Sequence, residues 1–223
     1  MNYNMSKTII ALICNIAIVI MEVIAAPICW ANHGAAVFKF YTENSNFFAF
    51  FTCLIMAICQ IKYLSSKIPI PKWAKMLKYM SVCCLTVTFV VVITILIPLE
   101  GGTKCIKPML FESSSLYQHT LCPIIAFISF IFFEYKPTLP KKSPLYSMIP
   151  TLIYAAIVLT LNAIKVLDGP YPFVRVHNQS VFMTIVWCAV VLSGAYIFAF
   201  FIWKLNDQFG KTTSQSDEQE SIA

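Results

Sequence analysis

Apolar residues fall into six long runs, and most charged residues lie in the short segments between them. Each run is near the roughly 20 residues that a helix needs to cross the hydrocarbon core of a bilayer. Asn15 and Glu22 interrupt the first run, which is also longer than the h-region of a signal peptide, so we interpret it as a retained helix. The predicted helices are Thr8–Ile28, Thr42–Leu64, Leu77–Pro98, Leu116–Phe133, Met148–Leu167 and Val181–Trp203.

Composition supports this interpretation of the pattern. The chain is 59% hydrophobic and 12% charged, whereas soluble domains carry about 25% charged residues. We therefore predict an all-α polytopic membrane protein, with six transmembrane helices forming one bundle over residues 1–205. The polar segment 206–223 is expected to be a disordered tail. The net charge of +6 is spread over the loops, which argues against a nucleic-acid partner.

The distribution of basic residues predicts the orientation in the membrane. With a cytoplasmic N-terminus, eleven of the 16 Lys and Arg residues lie on the cytoplasmic side. Because basic loops favour that side, we expect a multi-pass protein of the cell membrane with both termini in the cytoplasm. The predicted outward-facing loops are Cys29–Tyr41, Leu99–Ser115 and Asp168–Ser180.

Most of the polar side chains inside the apolar runs fall at one depth, in the outer half of the membrane. Polar groups are costly in a bilayer, so a layer of them is a functional-site hypothesis. Asn15 lies outside this layer. The layer contains Glu22, Thr42, Ser45, Asn46, His119 and Asn162.

Small residues continue the inward-facing sides of predicted helices two and four. Ala49 and Cys53 follow the polar residues of helix two, and Cys122 and Ala126 follow His119 on helix four. Because small side chains line helix interfaces in membranes, we expect these four to border an acyl-chain pocket open toward the outer leaflet. Pro123 lacks an N–H, so the His119 carbonyl should lose its helical partner and the helix should bend there.

The polar layer offers one pair of groups suited to catalysis. The Thr42 hydroxyl is a weak nucleophile until a base accepts its proton, and a neutral histidine such as His119 can do so. Two alternatives stay open: Thr42 has the chemistry of a helix N-cap, and His119 has that of an interfacial histidine with a water-facing nitrogen. The three histidines do not have the spacing of zinc ligands, and no cofactor-binding motif is present. Cys29 and Cys105, both in predicted outer loops, are candidates for a disulfide.

Three short motifs resemble those of a known family. "YTENSNFFAF", "LYQHTLCPIIAF" and "GPYPF" are similar to segments of the androgen-induced and androgen-dependent TFPI-regulating family of six-helix membrane proteins, which also has bacterial members. The resemblance covers all six runs in order and spacing. It implies a threonine hydrolase acting on fatty acid esters of hydroxy fatty acids, with Thr42 as the nucleophile and His119 as the catalytic histidine.

These observations together predict a membrane lipid ester hydrolase that needs no metal or cofactor. Ser45 or Asn46 would donate to the oxyanion, and Glu22 or Asn162 would orient the histidine. The alternatives are a non-enzymatic small transporter or lipid-binding protein, and a membrane lipid acyltransferase. The oligomeric state is left open.

Overall fold

Helices account for almost all of the regular structure in the computed structural model, which describes residues 4–220 and the side chains of residues 4–213. Two of the long helices contain π-helical segments: Val92–Leu96 lies within the third, and Leu116–Leu121 forms the start of the fourth. A short helix, Ile106–Leu110, lies in the connection between them. The long helices are α1 (Met5–His33), α2 (Tyr41–Ser66), α3 (Lys72–Glu100), α4 (Leu116–Phe132), α5 (Ser143–Ala163) and α6 (Val181–Glu220).

The expectation of an all-α membrane bundle is confirmed at the level of length and composition. Five of these helices are long and apolar enough to cross a membrane, whereas α4 is a shorter apolar helix. Large apolar side chains such as Ile13, Phe47 and Ile157 point away from the bundle, as expected for surfaces that face lipid. Six crossings and the side of the termini stay predictions.

Helix α3 lies at the centre of the bundle and is the most buried of the five. It packs against α2, α4 and α6, while α1 packs against α2 and α4. Small residues at the contacts let the helices approach closely. The core is formed by Ile18, Ala49, Cys53, Tyr79, Val82, Leu85, Cys122, Ala126, Phe130, Ala199 and Ile202.

The final helix is longer than the apolar pattern predicts. A disordered tail was expected from Asn206 onward, but α6 continues to Glu220. Asn206 is buried in the bundle, and the Phe209 ring packs edge-on against Phe132 with 5.0 Å between centroids. Asn206 and Phe209 therefore pack with the bundle, beyond the predicted boundary at residue 205. Residues 221–223 lie outside the described part.

Candidate active site

Thr42 and His119 line one cavity of about 240 Å³ at the end of the bundle that carries the first turns of α2 and α4, here called the site end. Glu43, Gln118 and Tyr171 also contribute to its walls. No hydrogen bond joins Thr42 to His119 among the described residues. Thr42 and His119 thus line the same cavity, as their similar predicted depths suggested, but no hydrogen bond joins them.

Thr42 is the second residue of α2, not its N-cap. The N-cap is Phe40, which makes no side-chain cap. Two N–H groups of the first turn, which have no partner within the helix, bond instead to Tyr171. Its hydroxyl accepts from the N–H of Tyr41 at 2.9 Å and from the N–H of Thr42 at 3.5 Å. The alternative of Thr42 as a cap is therefore wrong, and its buried hydroxyl is not committed to that role.

Tyr171 is a site residue that sequence reasoning did not single out, although it lies in the "GPYPF" motif. The motif makes a tight turn, since a Cβ on Gly169 would meet the Val174 carbonyl carbon and oxygen at 2.8 Å. Arg175 Nε fixes the same turn by donating to the Gly169 carbonyl at 3.0 Å. Burial raises the pKa of Tyr171, so the hydroxyl stays protonated at neutral pH. The hydroxyl accepts from two amides and also interacts with the Thr42 side chain, so it lies directly beside Thr42 in the cavity wall.

His119 is held in one orientation by the connection that precedes α4. Its Nδ1 lies 2.6 Å from the carbonyl oxygen of Met109. A carbonyl can only accept, so Nδ1 carries the proton and Nε2 of the neutral ring is an acceptor. Thr120 donates to the neighbouring Leu110 carbonyl at 2.8 Å, which fixes the same segment. This tautomer is the one a general base needs if Nε2 faces the substrate.

The predicted irregularity near Pro123 takes the form of a π-helical turn. The Cys122 N–H bonds to the Tyr117 carbonyl, five residues back. In that register the next carbonyl, that of Gln118, would need an N–H from Pro123, which has none. Asn46 donates to it instead, at 3.2 Å. The expected irregularity at Pro123 is thus present, and its missing N–H leaves the Gln118 carbonyl to a side-chain donor.

Ser45 and Asn46 lie behind the cavity and do not line it. Both side chains donate to the Thr42 carbonyl at 2.9 Å, and Ser45 also bonds to Thr88 at 2.9 Å. Their expected role as oxyanion donors does not fit this placement, since their hydrogens are directed at the backbone. They fix the first turn of α2 and thereby position Thr42.

Glu22 and Asn162, expected to orient the histidine, lie apart from His119 and from each other. Glu22 borders a second cavity, between α1 and α2. The Asn162 side chain accepts from the Val176 N–H at 2.7 Å and donates to the Leu167 carbonyl at 2.8 Å. Asn162 therefore ends α5 and anchors the following loop, which is why this helix stops before the predicted Leu167.

The four residues expected to line an acyl-chain pocket are instead closely packed. Ala49, Cys53, Cys122 and Ala126 are fully buried and belong to the central core. Small side chains allow either a gap or a close helix contact, and here the helices have closed on one another.

An apolar cavity lies elsewhere, between α3, α5 and α6, with a volume of about 110 Å³. Its walls include Ala155, Leu159 and Val191, together with Thr42 and Tyr171. Thr42 and Tyr171 therefore border both this cavity and the one that contains His119.

The cysteines proposed as a disulfide are free. Cys29 donates to the Gln118 side chain at 3.1 Å, whereas Cys105 donates to the Glu100 carbonyl at 3.2 Å. The two thiols are thus held by different partners, and the disulfide expectation is wrong for this structure.

A second polar cluster, missed by the sequence reasoning, is buried at the opposite end of the bundle. Lys75, Lys78 and Glu134 are all buried. The Lys75 ammonium donates to Asn206 Oδ1 at 2.8 Å, and the Asn15 amide donates to Glu134 at 3.1 Å. The spacing of Lys75 and Lys78, three residues apart on one helical face, is the signal in the sequence that could have indicated a shared environment.

Comparison of the chain with protein-family models, with curated proteins and with solved structures gives no match.

Proposed function

We propose that this protein is an integral membrane lipid ester hydrolase, in which Thr42 is the nucleophile and His119 the general base. The substrate class suggested by the sequence resemblance is a fatty acid ester of a hydroxy fatty acid. The proposal is supported most directly by the position of Thr42 in the walls of two adjoining cavities, one almost entirely apolar and one that also contains Glu43 and His119.

That position suits an ester with a long chain. Lipid pockets are apolar with a few polar groups that fix the reacting atoms. An acyl chain in the cavity beside Ala155 and Leu159 would bring its carbonyl to Thr42, which lines both cavities. The leaving alcohol would then lie in the cavity that contains His119.

The reaction proceeds in two steps. His119 Nε2 accepts the hydroxyl proton as Thr42 Oγ bonds to the ester carbonyl carbon, and the carbonyl oxygen becomes an oxyanion. The Tyr171 hydroxyl is the donor we assign to that oxyanion, in place of Ser45 and Asn46. The C–O bond to the leaving alcohol breaks, and His119 protonates that alcohol. Water, deprotonated by the same nitrogen, then releases the fatty acid and restores Thr42.

The contact between Thr42 and His119 must form during the reaction. Catalytic hydrogen bonds are often long without substrate and tighten in the reactive complex. The Met109 carbonyl fixes Nδ1, so rotation of the Thr42 side chain is the movement that brings the two groups together.

The test measures ester hydrolysis by the purified protein in nanodiscs, with a fatty acid ester of a hydroxy fatty acid as substrate. We expect Thr42→Ala to abolish turnover and His119→Ala to lower kcat by about 10²–10⁴-fold, the usual contribution of a positioned base. Thr94→Ala is the matched control, because that exposed threonine bonds only to the Val90 carbonyl of its own helix. Equal turnover by Thr42→Ala and the unmodified chain would refute the proposal, and so would an absence of hydrolysis by the unmodified chain.

A further inference from the structure

A second cavity at the site end, of about 320 Å³, lies between α1 and α2, and four of its lining residues are aromatic. Trp30 comes from the end of α1, Phe38 from the connection and Phe47 from α2. The rings meet edge to face, with centroids 6.4 Å apart for Trp30–Phe38 and 6.3 Å for Phe38–Phe47. The cavity thus presents several ring faces and edges to whatever occupies it.

Two carboxylates stand in this aromatic wall. Glu22 is only 4% exposed, and its Oε1 has no hydrogen-bond partner among the residues that the structure describes. Glu43 accepts from the Gln118 side-chain amide at 2.9 Å. Over the described residues, no Lys, Arg or His side chain lines the cavity. An ionised carboxylate buried with no cation beside it is costly, so a bound cation would stabilise the ionised form of Glu22.

The chemistry of the lining residues determines which kind of cation fits this cavity. Ca²⁺ takes 6–8 oxygen ligands, and the polar side chains of this cavity are limited to Glu22, Glu43 and Gln118. Aromatic faces attract organic cations by cation–π interaction. A primary ammonium has three N–H groups to satisfy, and the Gln118 carbonyl oxygen is already bonded to Cys29. A methylated ammonium has few or no N–H groups and buries its methyl groups against rings.

We propose that this cavity binds a methylated organic ammonium group, with Glu22 as its counter-ion and Trp30, Phe38 and Phe47 as its aromatic wall. The group is carried either by a lipid headgroup or by a free amine. Phe38 and Phe47 are each about half exposed on the side of the bundle, so the cavity is reachable from the lipid. The site does not depend on ester hydrolysis, although Glu43 and Gln118 border both cavities.

The experiment uses the full chain in nanodiscs of phosphatidylglycerol, which has no ammonium group. Choline is titrated against the protein by equilibrium dialysis, beside ethanolamine and 3,3-dimethylbutan-1-ol, the uncharged carbon analogue of choline. We expect saturable binding of choline, weaker binding of ethanolamine and none of the neutral alcohol. A second arm uses vesicles of mixed phosphatidylcholine and phosphatidylglycerol, with native mass spectrometry to identify lipids retained on the protein. Retention of phosphatidylcholine with weak binding of free choline would identify the lipid headgroup as the source.

Two variants remove the recognising groups, and each has a matched control. Glu22→Gln and Trp30→Leu should each weaken binding by about tenfold, on the scale of a lost ion pair or a desolvated cation–π contact. Glu112→Gln removes a carboxylate paired with Lys107 at the surface, and Trp73→Leu removes an exposed tryptophan of α3. Neither control should change binding.

Three results would overturn the proposal. One is equal binding of choline and its neutral analogue; another is no binding of choline together with no retained phosphatidylcholine. The third is unchanged binding in Trp30→Leu. If Glu22→Gln fails to fold, Phe38→Leu and Phe47→Leu carry the test, since both side chains are half exposed and unchanged binding in both would be equally decisive.

Discussion

Lys75 offers the sharpest test of the buried polar cluster at the opposite end of the bundle. Its side chain is fully buried. The ammonium donates to the Tyr135 carbonyl at 2.7 Å and to Asn206 Oδ1 at 2.8 Å, and lies 5.4 Å from the centre of the Phe130 ring. Lys75→Met keeps most of the side-chain volume and removes the charge, so it isolates these polar contacts.

The expected magnitude follows from those contacts. Two hydrogen bonds from a charged donor contribute about 1.5–3 kcal/mol each. Against this, burying the ammonium is costly, and apolar replacements of complete buried ion pairs are often neutral. Here only one partner is removed, and both buried acceptors lose their Lys75 donor. We therefore expect Lys75→Met to lower the free energy of unfolding by about 3 kcal/mol.

A double-mutant cycle with Asn206→Leu gives the coupling between the two side chains. Because each single change breaks the same 2.8 Å contact, the losses should fall short of additivity by about 1–2 kcal/mol. The assay is reversible unfolding by SDS in mixed micelles, followed by circular dichroism. Lys72→Met, an exposed lysine at the start of the same helix, is the control and should change little. Stability equal to or above the unmodified chain in Lys75→Met, or strict additivity in the cycle, would refute the reasoning.

Three further predictions concern the site end. Tyr171→Phe removes the acceptor of two amides at the start of α2, so we expect a loss of about 1 kcal/mol of stability together with lower ester turnover; unchanged turnover would remove Tyr171 from the mechanism. Ala155→Phe fills the apolar cavity and should shorten the longest acyl chain hydrolysed, whereas Ala156→Phe, on the exposed side of α5, should not; equal chain-length profiles would place the chain elsewhere. In a cysteine-free background on intact cells, an impermeant maleimide should label a single cysteine at Glu112 and not one at Lys141, both exposed; the reverse result would invert the orientation.

Sequence pattern was sufficient for the existence and order of the long apolar helices and for expecting Thr42 and His119 at one end of them. Apolar runs define where helices lie in a membrane protein, and depth along a helix follows from residue number, so Thr42 and His119 were predicted to lie near the same level. Pattern was insufficient for packing. The small side chains of Ala49 and Ala126 are compatible with a pocket or with a close helix contact, and only tertiary structure distinguishes the two.

Two other features depend on contacts between distant parts of the chain. Tyr171 lies in a loop, and its role at the start of α2 arises from a contact across 130 residues of sequence. Lys75 was counted as a loop cation, because a lysine near a helix end usually reaches water. Its burial follows from Asn206, which the polar composition of the tail had excluded from the core.

The π-helical segments also have a consequence for how this protein tolerates insertions and deletions. Val92–Leu96 ends just before Pro98, and Leu116–Leu121 ends just before Pro123. A π-turn accommodates one additional residue, which shifts the phase of the helix by about 100°. Deletion of a single residue from Leu116–Leu121 would therefore rotate the remaining side chains of this segment relative to the part of α4 that follows Cys122. The lengths of the loops would not change. The direction in which the His119 side chain points therefore depends on the number of residues in this segment as well as on their identities.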